Sequence, residues 1–375
     1  MRRAALWVGL VASGAIAPAQ ASPTTLTAEG GAEIDSNVER VEKSRANTQI
    51  GAAVGRLGVK VDHRGKAVAG TYVLHLSALA RVIGDRIARA ESAALLVGDL
   101  KWVRPVGTRP VSAGLGVTVA DALPLNDPTG TRTFRSLGAD GLLVLRGGED
   151  RTLTIAFGAR SFTYKPDRVF DWSGPAASIR LDLTLWQPAG GTKSVELAAY
   201  AGVEARSYND VAFANVCADD AMPENPKSCF AATSLPRNDR YHRLGAELTW
   251  VGRVVAAAGY QLAVTDSNSF GQSLVRHRVN LSATTGLPWR LFGTALATIQ
   301  FDQYLDGSIV EEDVGNQTFT TLDDENRSSL QLRLARQISK TWSVETRAAI
   351  WTDLGADNAA SFRRALAYLG VVYSH

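Results

Sequence analysis

Apolar and polar residues alternate along most of the chain after residue 22, in segments of about ten residues. Because successive side chains of a β-strand point to opposite faces, each segment has one apolar and one polar face. Segments of this length and pattern are typical of strands that cross a membrane. The clearest segments lie at 179–186, 195–206, 275–284 and 329–334.

The connections between these segments are short and long in turn. The short ones are His63–Gly65, Gly147–Asp150, Pro188–Gly191, Gly252–Arg253, Gly286–Pro288 and Ser339–Lys340. The long ones are Asp35–Ala46, Asp121–Arg132, Lys165–Val169, Asn209–Arg240, Leu305–Glu325 and Leu354–Ala360. Short periplasmic turns that alternate with long outer loops are expected of an antiparallel outer-membrane barrel. We therefore predict an all-β, antiparallel transmembrane β-barrel of about sixteen strands, with 14 to 18 left open, and both termini on the periplasmic side.

Tryptophan positions favour a membrane barrel over the main alternative, a soluble exported β-protein with two packed sheets. Trp102, Trp186, Trp250, Trp289 and Trp342 lie beside short connections, and Trp172 and Trp351 lie beside long ones. Each falls at a predicted strand end, where aromatic girdles meet the lipid headgroups. A soluble sandwich is expected to bury several tryptophans in the middle of its strands.

The N-terminal residues have the pattern of a cleavable export signal. Arg2 and Arg3 precede the apolar stretch Ala4–Ala17, and Ala19–Ala21 supplies small residues at the cleavage positions. We therefore predict a signal peptide at residues 1–21 and a mature barrel at residues 22–375. Removing Arg2 and Arg3 lowers the formal net charge from +3 to +1, because residues 1–21 contain no acid. This nearly neutral balance gives no indication of nucleic-acid binding.

Two cysteines, Cys217 and Cys229, lie in one polar stretch that contains proline. An exported protein is in an oxidising setting, so we predict a disulfide between them. Neither residue has the Cys-x-x-Cys spacing or the adjacent histidine that would indicate a reactive thiol.

The polar faces of the segments carry many charged residues. An Arg facing lipid at mid-depth costs about 2–4 kcal/mol, so these side chains are expected to point into the barrel. A barrel of about sixteen strands has room for an aqueous channel. A mixed-charge lining favours a hydrophilic solute or a sugar polymer; in the alternative, the charges pair across the lumen and close it. The predicted pore-lining residues are Arg180, Asp182, Glu196, Glu204, Arg206, Arg243, Glu247, Arg276, Arg278, Arg333, Glu345 and Arg347.

The sequence contains no motif of a known outer-membrane hydrolase or metal site. No Gly-x-Ser-x-Gly elbow and no His-Glu-x-x-His motif occurs, and His277 alternates with arginines on a predicted outward face. The acidic clusters Asp219–Asp220, Glu311–Asp313 and Asp323–Glu325 lack the spacing of a calcium loop and are interpreted as solvated loop charge. We expect no catalytic residue, no metal and no cofactor.

Three short motifs carry a resemblance to a family. The segment Gly30–Val38 resembles the opening strand and loop of Gram-negative barrels linked to polysaccharide export and surface-lipoprotein assembly. Asp323–Leu330 with Trp342–Arg347 is similar to their penultimate hairpin. Gly370 and Tyr373 resemble the C-terminal signal read by the barrel-assembly machinery, although His375 stands where Phe or Trp is usual. The resemblance implies an outer-membrane location, polysaccharide as cargo and the assembly machinery as a partner.

Two functions follow as hypotheses. The first is a passive conduit for hydrophilic cargo, with secreted polysaccharide favoured by the resemblance. The second is a non-transporting barrel that anchors an envelope or surface-motility complex through its long loops. Both imply contact with outer-membrane lipids and with a periplasmic export or envelope complex.

Overall fold

In the computed structural model, sixteen antiparallel strands form one closed sheet. The structure describes residues 24–40, 48–107, 110–126, 133–217, 230–306, 327–353 and 362–375. Each strand pairs with its neighbours in sequence, and the first strand pairs with the last to close the barrel. The predicted fold class and strand number are confirmed; the predicted signal peptide lies outside the described residues. The strands are β1 (Thr24–Asp35), β2 (Ala52–Ala67), β3 (Gly70–Ile83), β4 (Ala93–Pro105), β5 (Val111–Pro124), β6 (Phe134–Arg146), β7 (Arg151–Tyr164), β8 (Trp172–Trp186), β9 (Ser194–Asn215), β10 (Phe230–Val251), β11 (Val254–Ser267), β12 (Leu274–Leu287), β13 (Leu291–Tyr304), β14 (Ser328–Gln337), β15 (Trp342–Thr352) and β16 (Arg363–Ser374).

Helical structure in the described residues is confined to the 3-10 turns Ala88–Glu91, Arg168–Phe170 and Pro288–Arg290. None of the helices found in these ranges has the length and apolar character needed to span a membrane.

The two ends of the barrel differ in their connections. At one end, called the short-turn end, β1 begins, β16 finishes and tight connections join the strands; the opposite end is called the long-loop end. The predicted turn at His63–Gly65 is wrong, because β2 continues to Ala67. The chain instead reverses at Val68 and Ala69, both with positive φ (50° and 55°). A β-branched valine rarely adopts this conformation, so the sequence gives no signal for the turn.

The β9–β10 hairpin is the longest pair of strands, with 22 residues in each. The predicted loop Asn209–Arg240 is therefore wrong in part, because Asn209–Asn215 and Phe230–Arg240 belong to strands. At a rise of roughly 3.3 Å per residue, each strand measures about 70 Å, well over the roughly 30 Å of a bilayer's hydrocarbon core. The hairpin thus projects beyond the apolar band at the long-loop end.

The outward face of the sheet is apolar and exposed. Ile34, Leu57, Leu115, Phe157 and Leu369 all have more than half of their surface accessible. In a water-soluble barrel such a continuous apolar surface would be unfavourable, whereas a bilayer covers it. Alternation then directs the polar residues of the same strands to the interior.

Tryptophans at the short-turn end lie on the outward face, as the girdle prediction requires. Trp186 stacks on Trp250 with ring centroids 6.1 Å apart and planes 18° from parallel. Trp186 lies four residues after the inward-facing Asp182, so regular alternation would also direct its side chain inward. A bulge between Thr184 and Trp186 turns the side chain outward instead.

The two tryptophans at the long-loop end do not belong to a girdle, so that part of the prediction is wrong. Trp172 and Trp351 face inward and are only 7% and 3% exposed. Each pairs across the sheet with an inward residue, Trp172 with Tyr208 and Trp351 with Arg364. Trp172 lies an even number of residues from the inward-facing Asp182, and Trp351 lies an even number from the inward-facing Glu345. Alternation along each strand therefore predicts the inward orientation of both tryptophans.

Three apolar clusters fill the inner face at the long-loop end, and together they are called the apolar collar. Buried aromatic residues dominate one cluster, in which Phe162 stacks on Trp172 at 6.1 Å. In a second cluster Val38, from the first long connection, packs against Val54 and Ile83. The core of this barrel therefore lies inside its long-loop end rather than along its whole length. The collar residues are Val38, Val54, Ile83, Ala88, Ala93, Leu95, Ala122, Phe134, Phe162, Trp172, Tyr208, Ala349, Trp351, Phe362, Leu366 and Tyr368.

Candidate functional site in the barrel interior

All twelve predicted pore-lining residues lie on the inner face. Residues paired directly across antiparallel strands share a face, and the pairing connects one strand to the next around the barrel. For example, Gly202 pairs with Arg243, which pairs with Ala263, which pairs with Arg276. The set consists of Arg180, Asp182, Glu196, Glu204, Arg206, Arg243, Glu247, Arg276, Arg278, Arg333, Glu345 and Arg347. That they line a conducting pore stays a prediction.

Many of these charges form ion pairs along or across strands. Arg180 contacts Asp182 at 2.8 Å, and Arg206 contacts Glu204 at 2.5 Å, each pair lying on one strand. Arg276 donates from Nε and Nη2 to the two carboxylate oxygens of Asp302 on β13, at 2.9 and 2.7 Å. Arg333 and Arg347 both contact Glu345.

The most buried charges lie beside the junction of β1 and β16, on a surface called the seam wall: the inner faces of β1–β3, β15 and β16. Asp35 accepts hydrogen bonds from Arg364 Nε and Nη2 (3.0 and 2.7 Å) and from Arg81 Nη2 (2.7 Å). Arg81 Nε also donates to Glu33 at 2.8 Å. The Asp35, Glu33 and Arg364 side chains are fully buried. Burial of such charges is tolerable only because each has a partner.

The network continues toward the short-turn end through Glu29. One carboxylate oxygen of Glu29 accepts from Arg56 Nε at 3.1 Å, and the other accepts from Arg347 Nη2 at 2.6 Å. Arg347 also lies over the ring of Tyr368, 4.8 Å from its centroid. The seam wall is thus one continuous set of salt bridges and cation–π contacts across the strands where the chain ends meet.

A glycine pair allows Tyr368 to lie flat against the seam. Gly31 pairs with Gly370 across the β1–β16 junction. A Cβ atom at Gly31 would lie 2.6 Å from the Tyr368 ring, and one at Gly370 would lie 2.4 Å from it. The close approach of the ring therefore requires glycine at both positions.

The opposite side of the barrel, called the far wall (the inner faces of β6–β10), has a different character. Arg160 donates from Nη1 and Nη2 to the two oxygens of Asp140, both at 2.8 Å. Arg243 is exposed, and neither it nor Glu247 forms an ion pair within the described part of the chain. The ring of Tyr200, which packs over Gly245, lies between them along β10.

A shallow recess, with room for about one water molecule, lies on the far wall. Its floor is made by the small residues Ala176, Ser178 and Gly202, which are adjacent in the sheet. Arg243 borders it beside Gly202, and Glu204 borders it beside Ala176. Small side chains on two neighbouring strands leave this space unfilled.

Sequence reasoning missed most of the seam wall. The predicted long loop Asp35–Ala46 includes Asp35, and the predicted inner-face charges do not include Glu29, Glu33, Arg56 or Arg81. The signal was present, because 29, 31, 33 and 35 have the alternation of a strand with every second residue acidic or glycine. Asp140, Arg160 and Asp302 were missed for a different reason, since their strands carry few charges and their polar faces are less evident.

Outward-facing and loop residues singled out from the sequence have clear positions where they are described. His277 lies on the outward face, as predicted, with its Nδ1 atom 2.7 Å from the Tyr260 hydroxyl. Cys217 follows β9, whereas Cys229 and the three acidic clusters lie outside the described residues. The disulfide therefore stays a prediction.

No protein-family model and no curated protein matches the sequence. Solved structures similar to the chain include a bacterial polysaccharide outer membrane secretin (7% identity, TM-score 0.44, 94% of this chain and 98% of that one). They also include OmpT of Vibrio cholerae (8%, 0.39, 94% and 100%) and a mutant of Rhodopseudomonas blastica porin (10%, 0.36, 94% and 99%). The closed order and register of its own sixteen strands establish this chain as a β-barrel.

Proposed function

We propose that the chain is an outer-membrane conduit for hydrophilic cargo. The observation that carries the proposal is a charged inner face inside a barrel whose outward face is apolar; among the described residues, its Arg243 and Glu247 have no ion-pair partner. Unpaired charges remain stable inside a barrel only where water solvates them. Sixteen strands leave room for such water.

The sidedness of the proposal follows from the connections. Short turns and both termini would face the periplasm, and the projecting β9–β10 hairpin would face the exterior. Outer-membrane lipids would surround the apolar band, and the barrel-assembly machinery would insert the chain. Secreted polysaccharide is the cargo that the sequence resemblance suggests. The conduit would act without a catalytic centre or a cofactor.

The apolar collar favours a second candidate, a barrel that anchors an envelope complex and does not conduct. Trp172, Phe162 and Phe362 are less than 10% exposed inside the long-loop end. Tight packing at this level narrows the lumen where cargo would leave it. A conduit nevertheless explains why Arg243 and Glu247 on the far wall have no ion-pair partner among the described residues. A barrel that only anchors a complex has no need of such charges.

Single-channel recording separates the two candidates. The mature chain, folded in detergent, would be inserted into a planar bilayer, and its heat-modifiable mobility on gels would establish that it is folded. We expect stable conductance steps that change when Arg243 is replaced by Gln. Arg336, which lies on the outward face of β14, provides the matched control, and R336Q should leave the steps unchanged. A folded, inserted barrel without current would overturn the conduit and favour the anchor.

A further inference from the structure

We infer that the recess on the far wall binds an anionic group, a carboxylate or a phosphate, carried by a hydroxyl-bearing solute. The inference deepens the proposed conduit and rests on it, since a solute reaches the recess only through an aqueous lumen. It is carried by the small residues that line the recess and by the balance of charges at its border.

The carboxylates nearest the recess are already occupied. Both oxygens of Asp140 accept from Arg160, and Glu204 accepts from Arg206. Among the residues that the structure describes, these pairs leave the guanidinium of Arg243 at the border of the recess without an ion-pair partner. A guanidinium presents its donors in a fork that matches the two oxygens of a carboxylate or phosphate.

Intramolecular neutralisation of Arg243 is blocked by the arrangement of β10. The nearest uncommitted carboxylate on that strand, Glu247, is four residues away, about 13 Å at the rise of an extended strand. Gly245 and the Tyr200 ring fill the interval. The partner that Arg243 lacks must therefore come from outside the described protein, as solvent or as a solute.

Glycine at position 202 keeps the guanidinium beside the recess. A Cβ atom there would lie 3.0 Å from Arg243 Nε and 3.4 Å from the Ala177 carbonyl oxygen. With no side chain at this position, the stem of Arg243 can lie against the backbone of β9. Ser178 on the floor and Tyr241 on the border add hydroxyl groups, which suit a polyhydroxylated solute.

Equilibrium binding to the detergent-folded barrel tests the inference independently of conduction. Calorimetry would use gluconate as the carboxylate probe, glucose 6-phosphate as the phosphate probe and glucose as the neutral probe. We expect one or both anionic probes to bind more tightly than glucose. The R243Q variant should weaken that binding about tenfold, because a charge-assisted hydrogen-bonded pair is lost. R336Q, an arginine outside the lumen, should bind as the wild type does.

Two further variants distinguish binding in the recess from a general effect of charge in the lumen. A176L keeps every charge but fills the floor of the recess, and it should also weaken binding of the anionic probe. R243K keeps the charge and loses the fork, so it should fall between wild type and R243Q. Heat-modifiable mobility would verify that each variant is folded.

The outcomes distinguish this inference from the proposed function. Binding of an anionic probe that R243Q and A176L both weaken supports the subsite, even in a barrel that carries no current. Equal binding of glucose and the anionic probes, or anionic binding that neither variant changes, overturns the subsite and leaves a conducting barrel intact. Absence of both current and binding overturns the two proposals together.

Discussion

The seam wall and the far wall are built from the same residue types in the same alternating pattern, yet they differ in how their charges are compensated. On the seam wall Asp35 accepts hydrogen bonds from two arginines and is fully buried. On the far wall Arg243 is exposed and Glu247 stands without an ion-pair partner in the described residues. Side-chain type alone therefore does not decide whether a charged inner face is structural or accessible to solute. The charged residues within contact distance, on the same strand or on other strands, decide it.

The largest expected effect comes from breaking the seam wall. Asp35→Ala should lower the free energy of unfolding by about 3–5 kcal/mol, because Arg81 and Arg364 would lose their hydrogen bonds to its carboxylate inside a buried network. Tryptophan fluorescence during urea titration in detergent would measure the change. Asp182→Ala is the matched control on the far wall, where the partly exposed pair with Arg180 should cost about 1 kcal/mol or less. Equal losses would mean that the two walls do not differ as described.

A smaller effect is expected from the glycine pair of the seam. Gly31→Val should cost about 1–3 kcal/mol, because its side chain would press on the Tyr368 ring and on the Leu369 carbonyl oxygen. The same urea titration applies. Gly30→Val is the adjacent control: its side chain would face outward, with only the Leu57 side chain near, at 3.4 Å. If both variants behave alike, the close fit at the seam does not contribute to stability.

On the far wall, changes of charge should alter ion flow and leave stability nearly unchanged. R243Q and E247Q should each change the free energy of unfolding by about 0.5 kcal/mol or less, since neither side chain has an ion pair to lose within the described ranges. Reversal potentials in a salt gradient should shift toward cation selectivity for R243Q and toward anion selectivity for E247Q. Shifts in one common direction would contradict the placement of both groups in the lumen.

The smallest effect is expected at the hydroxyl of Tyr368. This buried Oη atom has no hydrogen-bond partner among the described residues. Tyr368→Phe should therefore change the free energy of unfolding by less than about 0.5 kcal/mol, or raise it slightly. Tyr200→Phe removes a hydrogen bond to Gln261 of 3.2 Å and should cost about 0.5–1.5 kcal/mol. A loss at Tyr368 as large as that at Tyr200 would reveal a partner for its hydroxyl.

Much of the fold could be predicted from the sequence because alternation and the order of the connections are local signals. The sixteen strands follow from alternation together with the order of the connections, and the inward direction of residues such as Arg180 and Glu345 follows from period two. The outer part of the β9–β10 hairpin does not, since strand residues beyond the bilayer need no apolar outward face. Asn209–Arg240 consequently resembles a polar loop although much of it is paired.

The candidate site was predictable only in part, for a related reason. Alternation predicts which face of the sheet a residue occupies. It does not predict which residues on other strands its side chain contacts. The pairing of Arg81 with Asp35 skips one strand, and the recess beside Arg243 depends on small residues of β8 and β9. A local bulge reverses the direction of Trp186, and no composition signal marks it. These are properties of register, which the folded sheet fixes.

The seam wall also bears on the order of events during folding. The pairs Arg364–Asp35 and Arg347–Glu29 join residues 329 and 318 positions apart, so they form only when the two ends of the chain meet. Contacts so distant in sequence carry the largest loop-closure entropy and are expected late. Until then the last two strands carry arginines whose carboxylates lie on the first strand, a costly state in lipid. Closure and full insertion should therefore be coupled, and a half-closed barrel should be retained at the membrane surface until β16 reaches β1.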